Sequence, residues 1–317
     1  MGKLIYKLCV SFVVVFLIIE CLVRIFHLYS ETPKRYIDEF GVEKRVPNQR
    51  GFNVTGNRRQ HVTEFRINQN GFNTVNTVKP KMDSYEIALV GDSFIEGFHQ
   101  PYKNSLGQMI ESKLDSVKVL EYGIGGYDMA DQMHLLHAYK KEFLNVDKIF
   151  LYLKFENDFE RSYYEPDYDR ISRANTILHK TLKSSKLFIY LTDIGLLGSV
   201  KNYISDKTKG IKNFNPVYAY NSSVEKKDDL EMSRISNFND LIDRYGFDKT
   251  KTVLLYDGRQ AGKKFIAFCN DQGIKYIDFS NTFKNAKKET TLIYDGHWNS
   301  YGRELLAETI TDFIVYK

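Results

Sequence analysis

Cysteine is scarce: the 317-residue chain has three, and Cys9 and Cys21 fall inside one apolar run near the N-terminus. Outside that run only Cys269 remains, so no internal disulfide can form there. This excludes a disulfide-stapled scaffold and a cysteine-based zinc finger. An excess of one charge is missing too. The 45 Lys and Arg against 40 Asp and Glu leave a formal net charge of +5, spread along the chain without the basic cluster that a nucleic-acid partner needs. No internal repeat or low-complexity tract is present, and only one apolar run is long enough to suggest a membrane span. The composition is otherwise 43% hydrophobic and 27% charged, that of a chain that folds mostly in water around a sizeable core.

The apolar run is LIYKLCVSFVVVFLIIECLVRIF, and between Lys7 and Arg24 its one ionisable group besides the thiols is Glu20. As a helix, Leu8 to Val23 covers about 24 Å, and snorkelling of Lys7 and Arg24 extends it toward the ~30 Å hydrocarbon core. Glu20 precedes Arg24 by four residues, the favourable order for an ion pair at one membrane boundary. No small-x-small cleavage site follows, and Glu20 before Cys21 spoils a lipoprotein-type site, so an uncleaved anchor is expected. Lys3 and Lys7 compete with Arg24, Lys34 and Arg35, and charge leaves the orientation open. The expected organisation is a tail (1–7), a transmembrane anchor (8–26), a stalk or N-terminal extension of short strands and turns (27–80), and a main domain (81–317). An insertion at 159–250 is expected to be partly helical and loosest over 206–235.

From residue 85 onward apolar strands alternate with amphipathic helices. YEIALV, VKVL, KIFLYL, TVLLY and KYIDF read as five strands, with helices between them and a last one from Ser300 to Val315. Such alternation predicts an α/β fold of three layers, α/β/α, around a five-stranded parallel sheet. Ligands bind such sheets beyond the carboxyl ends of the strands. There the chain places Gly91-Asp92-Ser93-Phe94, then Gly123-Ile124-Gly125-Gly126, then Phe155-Glu156-Asn157-Asp158, and finally Asp295-Gly296-His297-Trp298.

These are the parts of a serine acyl-transfer site. A serine hydroxyl needs an imidazole to take its proton, and the imidazole needs a carboxylate to fix its tautomer, roles that Ser93, His297 and Asp295 can fill. The backbone N–H groups of Ser93 and Gly126 and the carboxamide of Asn157 are candidate donors to the oxyanion. Blander readings stand beside each piece. Gly-Asp-Ser after a strand is often a helix cap, and the glycine-rich turn lacks the Lys-Ser/Thr of a phosphate loop. Glu156, Asp158 and Glu160 could hold a cation or lie solvated or paired near Arg161. His134 and His137 share a helix face without a third ligand, Trp298 covers or lines the site, and Asn299 or Ser300 caps the last helix.

From about residue 70 to the C-terminus these blocks resemble the SGNH (GDSL-like) hydrolase superfamily, especially bacterial members with one N-terminal membrane anchor. The resemblance implies a flavodoxin-like fold, with Ser93 as nucleophile and Ser93, Gly126 and Asn157 as the oxyanion hole. It also implies an extracytoplasmic catalytic domain. Two departures stand out. Phe155 replaces a usual glycine and is expected to narrow the pocket, and Asp-x-His replaces Asp-x-x-His, so Asp295 must fold back to His297 through a turn at Gly296. The activity expected is that of a membrane-anchored serine esterase removing O-acyl groups, foremost O-acetyl, from a carbohydrate or lipid-linked substrate, with no cofactor, metal or nucleic-acid partner. The alternatives are an O-acetyltransferase of a surface polysaccharide using the same site and a catalytically degenerate glycan-binding module.

Overall fold

Runs that are apolar at nearly every position suit strands covered on both faces. In the computed structural model, which describes residues 2–55, 59–76, 84–197, 224–293 and 295–316, the five runs are strands, the last of them at the sheet edge with Lys275 and Asp278 exposed. The chain begins with α1 (Gly2–Ile25), β1 (Arg35–Ile37), β2 (Glu43–Arg45), β3 (Arg50–Thr55) and β4 (His61–Arg66). Next come β5 (Tyr85–Gly91), α2 (Ser93–Glu96), α3 (Leu106–Glu111), β6 (Val117–Gly123), α4 (Met129–Ala138), α5 (Lys140–Phe143) and β7 (Lys148–Tyr152). Three short helices follow, α6 (Tyr168–Asn175), α7 (Ile177–Ser184) and α8 (Lys186–Asp193), and then α9 (Val224–Tyr245). The last part holds β8 (Thr252–Tyr256), α10 (Lys263–Asp271), β9 (Lys275–Asp278), α11 (Ser280–Lys284), β10 (Thr291–Leu292), β11 (Asp295–Trp298) and α12 (Ser300–Tyr316). Residues 206–223 of the stretch expected to be loosest, and Tyr294 beside the Asp/His block, lie outside the described residues.

The described residues divide into two units. One comprises 33–51, 63–167 and 219–317 and holds the parallel sheet, in the order β6-β5-β7-β8-β9. Gly91 pairs with Gly123 and Val90 with Leu151, so β5, β6 and β7 end together. The chain leaves β5 toward β6 and returns to the other side at β7. The reversal point therefore lies between the carboxyl ends of β5 and β7, where such sheets bind ligands.

Alternation along the strands separates two cores. Ala88, Val90, Leu120, Leu151 and Leu254 pack with Met133, Phe238 and Phe265 from α4, α9 and α10. Ile87, Leu89, Val119, Phe150 and Leu255 pack with Leu106, Ile110, Leu306 and Ile310 from α3 and α12. This is the three-layer α/β/α fold that the sequence predicts. Cys269 belongs to the first core, and burial pushes its thiol up to about 12, leaving it a small apolar filler rather than a nucleophile. The N-cap of α12 is Asn299, whose Oδ1 accepts from Gly302 N at 2.9 Å. Residues 33–76 add no helix among those described; β1 and β2 pair antiparallel, with Arg35 opposite Arg45.

The other unit comprises 1–32, 52–62 and 168–218. Its α1 is long and apolar enough to cross a membrane, and side chains such as Leu8 and Phe12 are exposed along it. Glu20 meets Arg24 at 2.7 Å, as their spacing suggests. It also does something the spacing does not reveal. Its carboxylate accepts from Leu187 N at 2.7 Å, Lys186 N at 2.9 Å and Ser185 Oγ at 2.9 Å, occupying the otherwise unpartnered donors at the start of α8. Val23, Tyr29 and Leu187 close a small apolar cluster beside it.

Candidate active site

β5 ends in Gly91, and Asp92 then caps α2, accepting from Phe94 N at 2.8 Å. The cap reading of the first block thus holds for Asp92, and it leaves Ser93 in the first turn with its side chain free for another partner. That partner is His297, whose Nε2 lies 2.7 Å from Ser93 Oγ across 204 residues of sequence. The other ring nitrogen, Nδ1, is hydrogen-bonded to Asp295 Oδ1, which also accepts from the His297 backbone N–H at 3.1 Å. Half-burial would raise the Asp295 carboxyl. The His297 hydrogen bond and the His297 and His99 charges outweigh it, holding the group at about 2.

Asp295 reaches His297 by a different route from the expected turn. Both lie on β11, and alternate residues of a strand share a face. Gly296 is not among the glycines with positive φ. The shortened Asp-x-His spacing is therefore the spacing that an extended segment requires. Trp298, on the opposite face, is buried among Phe94, Tyr152 and Phe279 and supports β11 from below. The Phe94 ring lies 4.5 Å from that of His297.

The glycine-rich turn after β6 is held from two directions. A Cβ on Gly123 would fall 2.0 Å from Glu96 N, so a glycine is required where α2 crosses the end of β6. Gly125 N donates to Glu96 Oε2 at 2.8 Å, and Arg35 Nη2 donates to Gly125 O at 2.6 Å. Arg45 closes on Glu96 with two bonds, Nε to Oε1 at 2.7 Å and Nη2 to Oε2 at 2.9 Å. Both side chains are almost fully buried, where a planar two-bond contact offsets part of the desolvation cost. Gly126 follows in the left-handed region at φ 85°, exposed beyond this brace.

Asn157 lies in the turn after β7, and its carboxamide is exposed, with no hydrogen bond of its own among the described residues. The turn is anchored beneath it. Asp158 accepts from Lys154 N at 2.7 Å, and Lys154 Nζ bonds Asp92 Oδ2 at 2.8 Å, tying the third block to the first. Burial, with Asp92 nearby, pushes Asp158 up to about 8, so it is a neutral acid at pH 7. Phe155 does not face the pocket as expected. Its ring is buried against Phe265 at 4.8 Å and Phe159 at 5.8 Å in the first core.

The remaining candidates have ordinary partners. Glu160 pairs with Arg234, while Arg161 turns to Asp128 and Asp131. His134 bonds Phe40 O and His137 bonds Tyr245 O, each at 3.1 Å. Sequence reasoning missed Glu96, and it missed the two arginines because they lie in a stretch read only as an extension. It also missed His99, whose Nε2 lies 3.2 Å from Asp295 Oδ2. No spacing rule marks His99, because it belongs to an irregular loop after α2.

No family model and no curated protein matches the chain. Solved structures resemble it loosely. A member of the lipolytic protein G-D-S-L family from Veillonella parvula is 13% identical, over 74% of this chain and 100% of that one, with a TM-score of 0.39. A lipase/acylhydrolase from Enterococcus faecalis is 13% identical, over 73% and 95%, with a TM-score of 0.40. A catalytic mutant of an acetylxylan esterase from Geobacillus stearothermophilus is 12% identical, over 75% and 98%, with a TM-score of 0.35. At these values the likeness assigns no activity.

Proposed function

We propose that the chain is a serine hydrolase of the SGNH type that cleaves O-acyl esters through an acyl-serine. The observation that carries this reading is the continuous hydrogen-bonded run from Ser93 through His297 to Asp295 at the reversal point of the sheet. Ser93 Oγ attacks the ester carbonyl as its proton passes to His297 Nε2. The carbon–oxygen bond to the alcohol then breaks, and His297 returns the proton to the departing oxygen. Water, activated by the same imidazole, releases the acid and restores Ser93. Asp295 keeps the imidazole in the tautomer that accepts at Nε2 and stabilises its charged form. The intact run supports an active enzyme over a degenerate glycan-binding module. Turnover of p-nitrophenyl acetate by the full chain in detergent tests the reading; a folded protein inert to short aryl esters would sink it.

The oxyanion hole in this proposal is made by the N–H groups of Ser93 and Gly126 and the Asn157 carboxamide, whose lack of a partner among the described residues supports the role. Asn157→Ala is then expected to lower kcat by roughly 100- to 1,000-fold with little change in KM. A mutant altered only in KM would make Asn157 a substrate-positioning group.

The substrate class we infer is an O-acyl, foremost O-acetyl, ester of a carbohydrate or lipid-linked molecule, presented near a membrane in which α1 is the single-pass anchor. The exposed apolar length of α1 supports the anchor. The catalytic unit is proposed to lie outside the cytoplasm. The full chain is expected to stay with membranes through a carbonate wash, and its catalytic unit to be digested by protease added outside intact cells. Release by carbonate would count against the anchor, and protection from protease against the orientation.

A further inference from the structure

The Asp295 carboxylate stands on a four-residue strand whose one partner among the described residues, β10, has two residues. So short a ribbon is a weak mount for a group that must keep its angle to an imidazole. One oxygen, Oδ1, is held by His297. The other, Oδ2, is met by His99 Nε2 at 3.2 Å, and the His99 ring lies almost flat on the His297 ring, with centroids 3.8 Å apart and planes 18° apart.

We propose that His99 is a positioning residue for the Asp295–His297 pair, donating its Nε2–H to the second carboxylate oxygen and so fixing the rotation of that carboxylate. The proposal rests on the serine-hydrolase reading above. Which nitrogen of His99 carries the proton follows from its surroundings. Nδ1 is buried without a partner among the described residues, and a lone N–H there would be an unsatisfied donor, so the proton belongs on Nε2, beside a carboxylate that can accept it. The titratable groups facing His99 are His297, Asp295 and Arg303. Burial, then the His297 charge, against the pull of Asp295, push His99 down to about 4. It is therefore neutral at pH 7.

His99, Asp295 and His297 also bring possible metal ligands within 4.8 Å of one another. A metal would have to displace the hydrogen bonds that already engage both nitrogens of His297 and Oδ1 of Asp295. That chemistry competes with the proposal and is made an outcome of the test.

Two variants separate donation from packing. His99→Phe keeps a flat ring against His297 and loses the donor; His99→Gln loses the ring and keeps an N–H within reach of Oδ2. Both are compared with the wild-type full chain in detergent, by kcat and KM for p-nitrophenyl acetate and by the rate of Ser93 phosphorylation, with loss of fluoride, by diisopropyl fluorophosphate. The Phe variant is expected to lose about tenfold to a hundredfold in kcat and in phosphorylation rate with KM unchanged. The Gln variant should recover most of that loss. The reverse pattern, equal impairment, or two variants like wild type overturns the proposal, as does loss of wild-type turnover in EDTA. A wild type inert to both reagents would instead defeat the serine-hydrolase reading. The downfield proton resonance of the Asp295–His297 hydrogen bond would then still decide: the proposal expects it to be weakened in the Phe variant and kept in the Gln variant, and an unchanged resonance in both overturns it.

Discussion

Ser93→Ala is expected to remove ester turnover by roughly six orders of magnitude in kcat and to abolish labelling by diisopropyl fluorophosphate. The size follows from the mechanism. Without Oγ there is no acyl-serine, and what remains is the weak assistance that the oxyanion donors give to direct attack by water. His297→Ala should be about as damaging, since the hydroxyl then has no base. The double variant should be no worse than either single one, because both groups serve one step. The fold should survive, because Ser93 Oγ bonds His297 and no core group; the melting temperature of Ser93→Ala is expected to stay near that of the wild type. Equal turnover in wild type and Ser93→Ala would end the serine mechanism. Additive losses would mean that the two residues act in different steps.

Asp295→Asn is expected to cost about four orders of magnitude in kcat while leaving the shape of β11 unchanged. An ionised carboxylate only accepts hydrogen bonds, so it selects the His297 tautomer protonated on Nδ1, and Nε2 is left to accept from Ser93. A carboxamide can present its NH2 to Nδ1 and stabilise the opposite tautomer, whose Nε2–H points at the nucleophile and takes nothing from it. Because Asp295 is held at about 2, the selecting charge is present over the whole range in which the protein is assayed. Near-normal turnover by the Asn variant would reduce the machinery to Ser93 and His297 and would remove the reason for His99 to hold the carboxylate.

The sheet was legible because its physical requirement is local. Strands buried on both faces must be apolar at nearly every position, and IALV, FLY and VLLY are such runs. That Ser93, Asp295 and His297 come together was legible because order along the chain, read against strand ends, carries topological information. The route by which Asp295 reaches His297 was misjudged. A one-residue gap looks too short when the segment is imagined as a loop, and natural when it is a strand. Phe155 was misjudged for a related reason, since a block position does not say on which side of a turn its ring falls. Glu96, Arg45 and His99 left no signal of their own. Their roles depend on contacts between segments 51 and 196 residues apart, and each residue type is common on any surface. Glu20 was read as a membrane-boundary partner of Arg24, and that pair is present, yet the cap it supplies to α8 lies 165 or more residues away.

The arginine brace on the glycine-rich turn has a temporal consequence. Arg35 and Arg45 are synthesised before the sheet exists, and Glu96 and Gly125 come later, so the braced turn can take shape once β6 has docked. His297 and Asp295 are made near the end of the sequence, after every strand of the parallel sheet. On the proposed assignment, a nascent polypeptide stalled between Ser93 and Asp295 has the nucleophile but no base to activate it.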